Sequence, residues 1–155
     1  MDEKILILVN SIRRDLETID AIYEALEQHP LTPATGQDTL IVIGYHLHNL
    51  YNGFENIFQN IAAVFENSVD EVGRWHAQLL ERMRLEVMPL RPAVIDDPAY
   101  EALDELRRFR HMFRHAYSVK LEPQRLQLVM DKALALKAIY PDQVGQFIDF
   151  LERLQ

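Results

Sequence analysis

The chain has 155 residues, enough for one domain whose hydrophobic core needs no disulfide or metal to stabilise it. It has no cysteine, which excludes disulfides, thiolate catalysis and cysteine-based zinc or iron–sulfur sites. The net charge of −8 argues against general coating of nucleic acid, because affinity for phosphate comes from an excess of lysine and arginine. We therefore expect no DNA partner, although a local basic patch could still act on RNA.

The N-terminal segment does not resemble a secretion signal. It begins with acidic residues, and its apolar run of five residues is shorter than the apolar segment of a signal peptide. No stretch approaches the roughly 18 to 20 apolar residues that a membrane helix needs. We expect a cytoplasmic protein without a membrane segment.

Helical periodicity runs through the first half of the chain. The first helix is predicted over about residues 2–28, and the prolines and glycine of residues 29–36 end it. The second, over about residues 37–67, is apolar around much of its circumference, which predicts a central place in a bundle. Inside it, Gly44 and Gly53 indicate either close packing against a neighbour or a local bend.

Three further helices are predicted in the second half. The third covers about residues 70–87, and an extended, proline-containing connector follows over about 88–98. The fourth covers about 97–117, with Asp96 and Asp97 before Pro98 as its N-cap. The fifth runs from about residue 122 to the C-terminus, where Pro141 could kink it. The fold class is therefore all-α, an up-and-down bundle of about five helices in a single domain over residues 1–155.

The stretch RRFRHMFRHAYSV, residues 107–119, concentrates positive charge in an otherwise acidic chain. On a helical projection its apolar residues fall in one broad arc. Much of the charge lies outside that arc, as is typical of a solvated face. The residues outside it are Arg107, His111, Arg114 and His115.

Arg110 departs from this pattern, because it projects within about 20° of Leu103 and Tyr117, inside the apolar arc. A guanidinium cannot lose its proton, so a buried one must meet an anion or a second surface. Glu55 and Asn52 on the second helix are plausible polar partners. Two interpretations stay open: a structural Arg–Glu pair, or a cleft or interface that receives an anionic ligand.

His115 projects about 140° from Arg110 on an ideal helix. The two side chains therefore cannot converge on one phosphate within a straight helix of a single chain. If they cooperate, either the helix loosens near His115 or a second chain completes the site.

Other polar residues have simpler interpretations. His46 and His48 are two residues apart, on different sides of a helix, and are interpreted as core or interface residues. His111 and His115 have the spacing of a helical metal pair, but no third ligand is fixed nearby in sequence, so we predict no metal site. The remaining arginines are interpreted as surface charges, some of which could contact RNA or a partner: Arg74, Arg82, Arg84 and Arg91.

Arg110, His115 and Tyr117 spell the motif R-x4-H-x-Y in the penultimate predicted helix. The segments YNGFENIF (51–58), WHAQLLERM (75–83), RPAVI (91–95) and LDELRRFRHMFRHAY (103–117) accompany it. Together they resemble the HEPN superfamily, and within it the HepT-like toxins of HEPN–MNT toxin–antitoxin pairs. The resemblance covers most of residues 40–130.

This resemblance implies a HEPN-like endoribonuclease that uses no metal or cofactor and acts as a homodimer, in which two R-x4-H segments meet. His115 would move a proton at the ribose 2′-hydroxyl or the leaving 5′-oxygen. Arg110 would stabilise the charge that develops on the phosphoryl oxygens. Supporting or RNA-binding roles would fall to His111, Arg114, Arg107, Glu55 and Asn52.

The resemblance also implies regulation at Tyr117 by an MNT-type nucleotidyltransferase antitoxin, which adds AMP to the tyrosine of the motif. An anionic AMP chain there would occupy space that RNA phosphate needs, because Tyr117 projects close to Arg110. The alternative is a catalytically inactive HEPN module that binds and scaffolds its nucleotidyltransferase. The acidic net charge supports that alternative, since a ribonuclease surface should be locally basic.

Overall fold

The structure, a computed structural model, describes residues 2–66, 75–115 and 120–154. These ranges contain six α-helices. No strand occurs in these ranges, where the β-type pairing is a single isolated bridge between Val87 and Arg91. The all-α prediction is confirmed. The helices are α1 (Glu3–Glu27), α2 (Gln37–Phe65), α3 (Trp75–Met83), α4 (Asp97–Arg114), α5 (Pro123–Lys137) and α6 (Tyr140–Arg153).

The helix predicted from residue 122 to the C-terminus is two helices, so the expected kink at Pro141 is a complete break. At the end of α5, the backbone N–H groups of Ala138 and Ile139 donate hydrogen bonds three residues back, to the carbonyls of Ala135 and Leu136. Pro141 then occupies the first turn of α6. A proline has no N–H to donate and its ring clashes inside a helix, but the first turn tolerates both properties.

The predicted third helix is too long at its C-terminal end, because α3 ends at Met83. The carbonyl of Met83 accepts hydrogen bonds from the backbone N–H groups of Val94 and Ile95, at 2.8 and 3.2 Å. The connector therefore returns to cap the helix that precedes it. Asp96 caps the next one as predicted, since its carboxylate accepts a 3.0 Å bond from the Ala99 N–H.

Arg91 in this connector is fully buried, which corrects its interpretation as a surface charge. Its guanidinium pairs with the Glu66 carboxylate and donates to the carbonyl oxygens of Arg82, Leu85 and Pro92. A buried guanidinium is stable only when anions and acceptors surround it in this way. Arg91 thus ties the connector to the ends of α2 and α3.

The central place predicted for α2 is confirmed, because α2 packs against α1, α3, α4 and α5. Both glycines inside it mark close approach of neighbours. A Cβ at Gly44 would lie 2.7 Å from the Phe113 ring of α4, and one at Gly53 would lie 2.9 Å from Ile19 of α1. This packing places the middle of α2 directly against the C-terminal half of α4.

Hydrogen bonds of two tyrosine hydroxyls join α5 and α6 to α1. The Tyr140 hydroxyl donates to the Asp20 carboxylate at 2.9 Å, and the Tyr23 hydroxyl donates to the Ala133 carbonyl at 2.7 Å. Burial raises the pKa of both tyrosines well above the usual range, so both hydroxyls stay protonated. Within the described ranges, no helix has the length and apolar composition to cross a membrane.

Candidate functional site

Arg110 lies between α2 and α4 with only 5% of its surface exposed. Its Nη1 donates to Asn52 Oδ1 and to Glu55 Oε1, each at 2.9 Å. Its Nη2 lies 3.3 Å from the second oxygen of Glu55. The polar partners expected from the sequence are therefore the ones that this arginine contacts.

The arginine also stacks on an aromatic ring. Its Cζ atom lies 4.7 Å from the centre of the Tyr51 ring, one helical turn before Glu55 on α2. A guanidinium over a ring face gains a cation–π attraction, which is stronger where water is excluded. Burial, and then the negative charge of Glu55, raise the pKa of Tyr51 far above its usual value, so the phenol is neutral.

His76 of α3 is the third member of this group. Its Nδ1 lies 2.9 Å from both carboxylate oxygens of Glu55 and 3.0 Å from Nη2 of Arg110. Arginine can only donate, so a protonated Nδ1 bonds to Glu55 and a bare Nδ1 accepts from Arg110. We call Asn52, Glu55, His76 and Arg110 the Arg110 cluster.

The sequence interpretation gave His76 no role, although a local signal existed. The apolar residues Leu79, Leu80 and Met83 are the buried residues of α3. His76 precedes them at helical spacing, so it falls on the face that α3 turns toward the core. What the sequence alone lacks is the identity of the helices that this face meets.

His48 extends the polar stripe of α2, one turn before Asn52 and two before Glu55. Its buried Nδ1 has no hydrogen-bond partner among the described residues. Burial, and then the positive charges of Arg110 and Arg114, lower the pKa of His48. The imidazole is therefore neutral near pH 7 and adds no positive charge beside the two arginines.

His115 lies outside the Arg110 cluster, as the exposed C-cap of α4. Its backbone is no longer helical, with φ −108° and ψ 9°, and its N–H donates to the Met112 carbonyl at 3.1 Å. The ring lies 4.7 Å from the His111 ring. Among the described residues, no hydrogen bond or ion pair joins His115 to Arg110.

The remaining predicted site residues lie either apart from the Arg110 cluster on α4 or outside the described residues. Arg107 is held by Asp104 of its own helix, at 2.8 and 2.9 Å, and does not enter the Arg110 cluster. Arg114 and His111 are exposed at the end of α4. Tyr117 and Arg74 lie outside the described residues.

Two other features concern the surroundings of the site. No group of three or more histidine, aspartate or glutamate side chains in the described ranges has an arrangement that would hold a metal ion. Of the other arginines with predicted surface positions, Arg84 pairs with Glu81, and Arg82 pairs with Glu66 at 3.3 Å. Both arginines are partly exposed at the surface.

One comparison with known proteins, against protein-family models, found a match, and it agrees with this fold. Searches of curated proteins and of solved structures gave no match. The HepT-like protein family matches residues 42–151, which include the Arg110 cluster and the whole of α3, α4 and α5. Because the match covers well over half of the chain, the chain belongs to the HepT-like family of the HEPN superfamily.

Proposed function

We propose that this chain is the toxin of a HEPN–MNT toxin–antitoxin pair and a metal-independent endoribonuclease. One observation supports this most directly: the two polar residues of R-x4-H occupy the end of a single helix in a HepT-like chain. Arg110 is held by an acid and an amide of α2, and His115 is exposed where α4 ends. An oriented arginine can stabilise charge on a phosphoryl group, and an accessible histidine can transfer a proton during phosphodiester cleavage.

The site is completed by a second copy of the chain. Arg110 pairs with Glu55 between α2 and α4, whereas His115 is exposed at the end of α4 with its ring beside His111, so a phosphate held by both groups calls for a second motif. In a two-fold dimer whose interface contains the end of α4, that end meets its own copy, which brings the histidine of one protomer toward the arginine of its partner. Two copies of the basic end of α4 also concentrate positive charge locally in an acidic protein.

Cleavage of an RNA oligonucleotide by the purified chain, freed of its partner, tests this function. His115→Ala should lower kcat by about 100-fold or more, because proton transfer by a positioned group contributes at least that much. Arg110→Lys keeps a positive charge beside Glu55 but loses the two-pronged contact, and should also lower kcat by about 100-fold. His29→Ala, a change in the loop before α2, is the matched control and should leave the rate unchanged. A wild-type chain that neither cleaves RNA nor arrests growth contradicts the proposal.

Mixing the two inactive variants tests the composite site. Random pairing of His115→Ala with Arg110→Lys chains should restore about a quarter of the wild-type rate, since half of the dimers then hold one intact site out of two. If both groups act within one chain, no dimer holds an intact site and the mixture stays inactive.

A second candidate function follows from the burial of Arg110. Its guanidinium is almost fully enclosed and already neutralised by Glu55, so it meets a phosphate only if that pairing opens. This favours a structural ion pair in a catalytically inactive module that binds its nucleotidyltransferase. The cleavage assay separates the two functions, because such a module should bind the nucleotidyltransferase and leave RNA intact.

A further inference from the structure

We propose that His76, which is not part of the R-x4-H motif, is a second acid–base group of the ribonuclease site, with Glu55 as its positioning residue. This inference rests on the proposed function and adds a catalytic residue to it. It is carried by the geometry of the Arg110 cluster, in which α3 supplies a histidine to an ion pair formed by α2 and α4.

The ring of His76 is oriented by contacts at one of its two nitrogens. Nδ1 lies 2.9 Å from each oxygen of Glu55, so a proton on Nδ1 is donated to that carboxylate. In that tautomer, in which Nδ1 bonds to Glu55 rather than accepting from Nη2 of Arg110 at 3.0 Å, the lone pair of Nε2 on the opposite edge of the ring is available as a base. A carboxylate behind a histidine fixes the tautomer and stabilises the imidazolium that forms when Nε2 gains a proton.

Exposure distinguishes His76 from the two charged members of the cluster. About 31% of its side-chain surface is accessible, against 6% for both Glu55 and Arg110. A ligand that approaches from solvent therefore meets the histidine before it meets the ion pair beneath. The adjacent Trp75 ring packs against the imidazole, with centroids 3.6 Å apart, and limits its rotation.

The negative charge of Glu55 is neutralised without a histidine. Glu55 is already paired with Arg110 at 2.9 Å, so the cluster without His76 has no unpaired charge. Protonation of His76 makes the cluster positive, and a phosphate beside it would neutralise that charge. A site for a charged ligand therefore explains the presence of a third titratable group better than a requirement of folding does.

The reaction is balanced with RNA as the sole reactant. Nε2 of His76 takes the proton of the ribose 2′-hydroxyl while the 2′-oxygen forms a bond to phosphorus. The bond between phosphorus and the 5′-oxygen breaks, and the 5′-oxygen takes a proton from the imidazolium of His115 of the second protomer, in the composite site proposed above. The products are a 2′,3′-cyclic phosphate and a 5′-hydroxyl, with one proton gained by His76 and one lost by His115.

The test compares two variants of His76 in the full-length protein. His76→Ala removes the ring, whereas the amide N–H of His76→Asn retains a donor for Glu55 but cannot accept a proton. Both should lower kcat by about 100-fold with KM changed by less than about threefold, the pattern of a group that acts on the transition state. Added imidazole should restore part of the activity of His76→Ala. It should restore none of the activity of His76→Asn, whose side chain fills the space that the imidazole would enter.

A purely structural role gives a different result. His76→Asn would then keep near wild-type activity, because the bond to Glu55 is retained, and imidazole would have no effect on His76→Ala. Thermal unfolding of each variant identifies any loss that comes from misfolding, and His29→Ala serves as the neutral histidine control. One outcome contradicts only the role proposed for His76: the wild type and His76→Asn both cleave RNA, and His115→Ala does not. The proposed function then stands. A wild type without cleavage overturns both.

Discussion

Arg110 is a buried charge whose polar and aromatic partners come from two other helices, α2 and α3. A guanidinium that is 5% exposed has a carboxylate, an amide oxygen, an imidazole nitrogen and a ring face around it. Breaking a buried pair is costly because the remaining charge loses its partner, whereas replacing both members by apolar residues is often neutral. The stability of the cluster therefore depends on Arg110 and Glu55 together.

Arg110→Met should lower the free energy of unfolding by about 3 kcal/mol, because the buried Glu55 would lose its permanently charged partner and keep only the imidazole of His76. The double variant Arg110→Met/Glu55→Met should recover most of that loss. Urea unfolding followed by circular dichroism measures both changes.

The matched control for this pair is on the surface. Arg13 and Glu152 form an ion pair of similar length, 3.0 Å, but both side chains are about half exposed. Arg13→Met should therefore cost less than about 1 kcal/mol. A double variant no more stable than Arg110→Met would contradict the coupling between Arg110 and Glu55.

At the scale of the helices, the position of the Arg110 cluster depends on how closely α2 and α4 approach. Gly44 permits that approach, since the Phe113 ring occupies the space where a Cβ would lie. Phe113 in turn packs against Phe109 and His48, at centroid distances of 5.5 and 5.9 Å. The contact lies within one turn of the exposed end of α4.

Gly44→Ala should lower the free energy of unfolding by about 1 kcal/mol, because steric overlap with Phe113 outweighs the better helix propensity of alanine. Gly145→Ala in α6 is the matched control, since a Cβ there meets no neighbouring atom. It should raise the free energy of unfolding by about 0.5 kcal/mol through helix propensity alone. Equal effects of the two substitutions in urea unfolding would show that the α2–α4 contact is not tight.

For the whole molecule, the proposed function depends on partners: a second copy of the chain, RNA and the nucleotidyltransferase. The residues that would meet them, His111, Arg114 and His115, lie together at the exposed end of α4. The proposed target of AMP addition, Tyr117, follows His115 by two positions in the sequence. Modification there would place negative charge beside the groups that contact RNA phosphate.

Co-expression with a cognate nucleotidyltransferase should add AMP-sized mass increments to the peptide that contains Tyr117 and suppress RNA cleavage. Tyr117→Phe should carry no increment and should remain toxic in the presence of the partner. Mass spectrometry of the digested protein locates the modification. Increments on another tyrosine, such as the exposed Tyr45, or none at all, would contradict the assignment of Tyr117.

The helices, their apolar faces and the need of Arg110 for an anion were predictable from the sequence. Periodicity and capping are local properties, so the central α2 and the Asp96 cap followed from residue spacing. The same projection placed Arg110 in an apolar arc, where it needs either an acid within the bundle or an anion at a second surface, and Glu55 is the acid that it meets.

Tertiary structure decided which faces meet, and spacing along one helix carries no information about that. It brought His76 of α3 to Glu55, buried Arg91 against Glu66, and separated α5 from α6 at Ala138 and Ile139. The first two outcomes depend on contacts between different segments, whose free energy belongs to the packed molecule rather than to any single helix, whereas the break before Pro141 rests on local backbone hydrogen bonds that spacing along the helix did not reveal. The sequence by itself therefore determined the fold class and the charged residue that needs a partner, and the packing of α2, α3 and α4 determined the group of side chains around it.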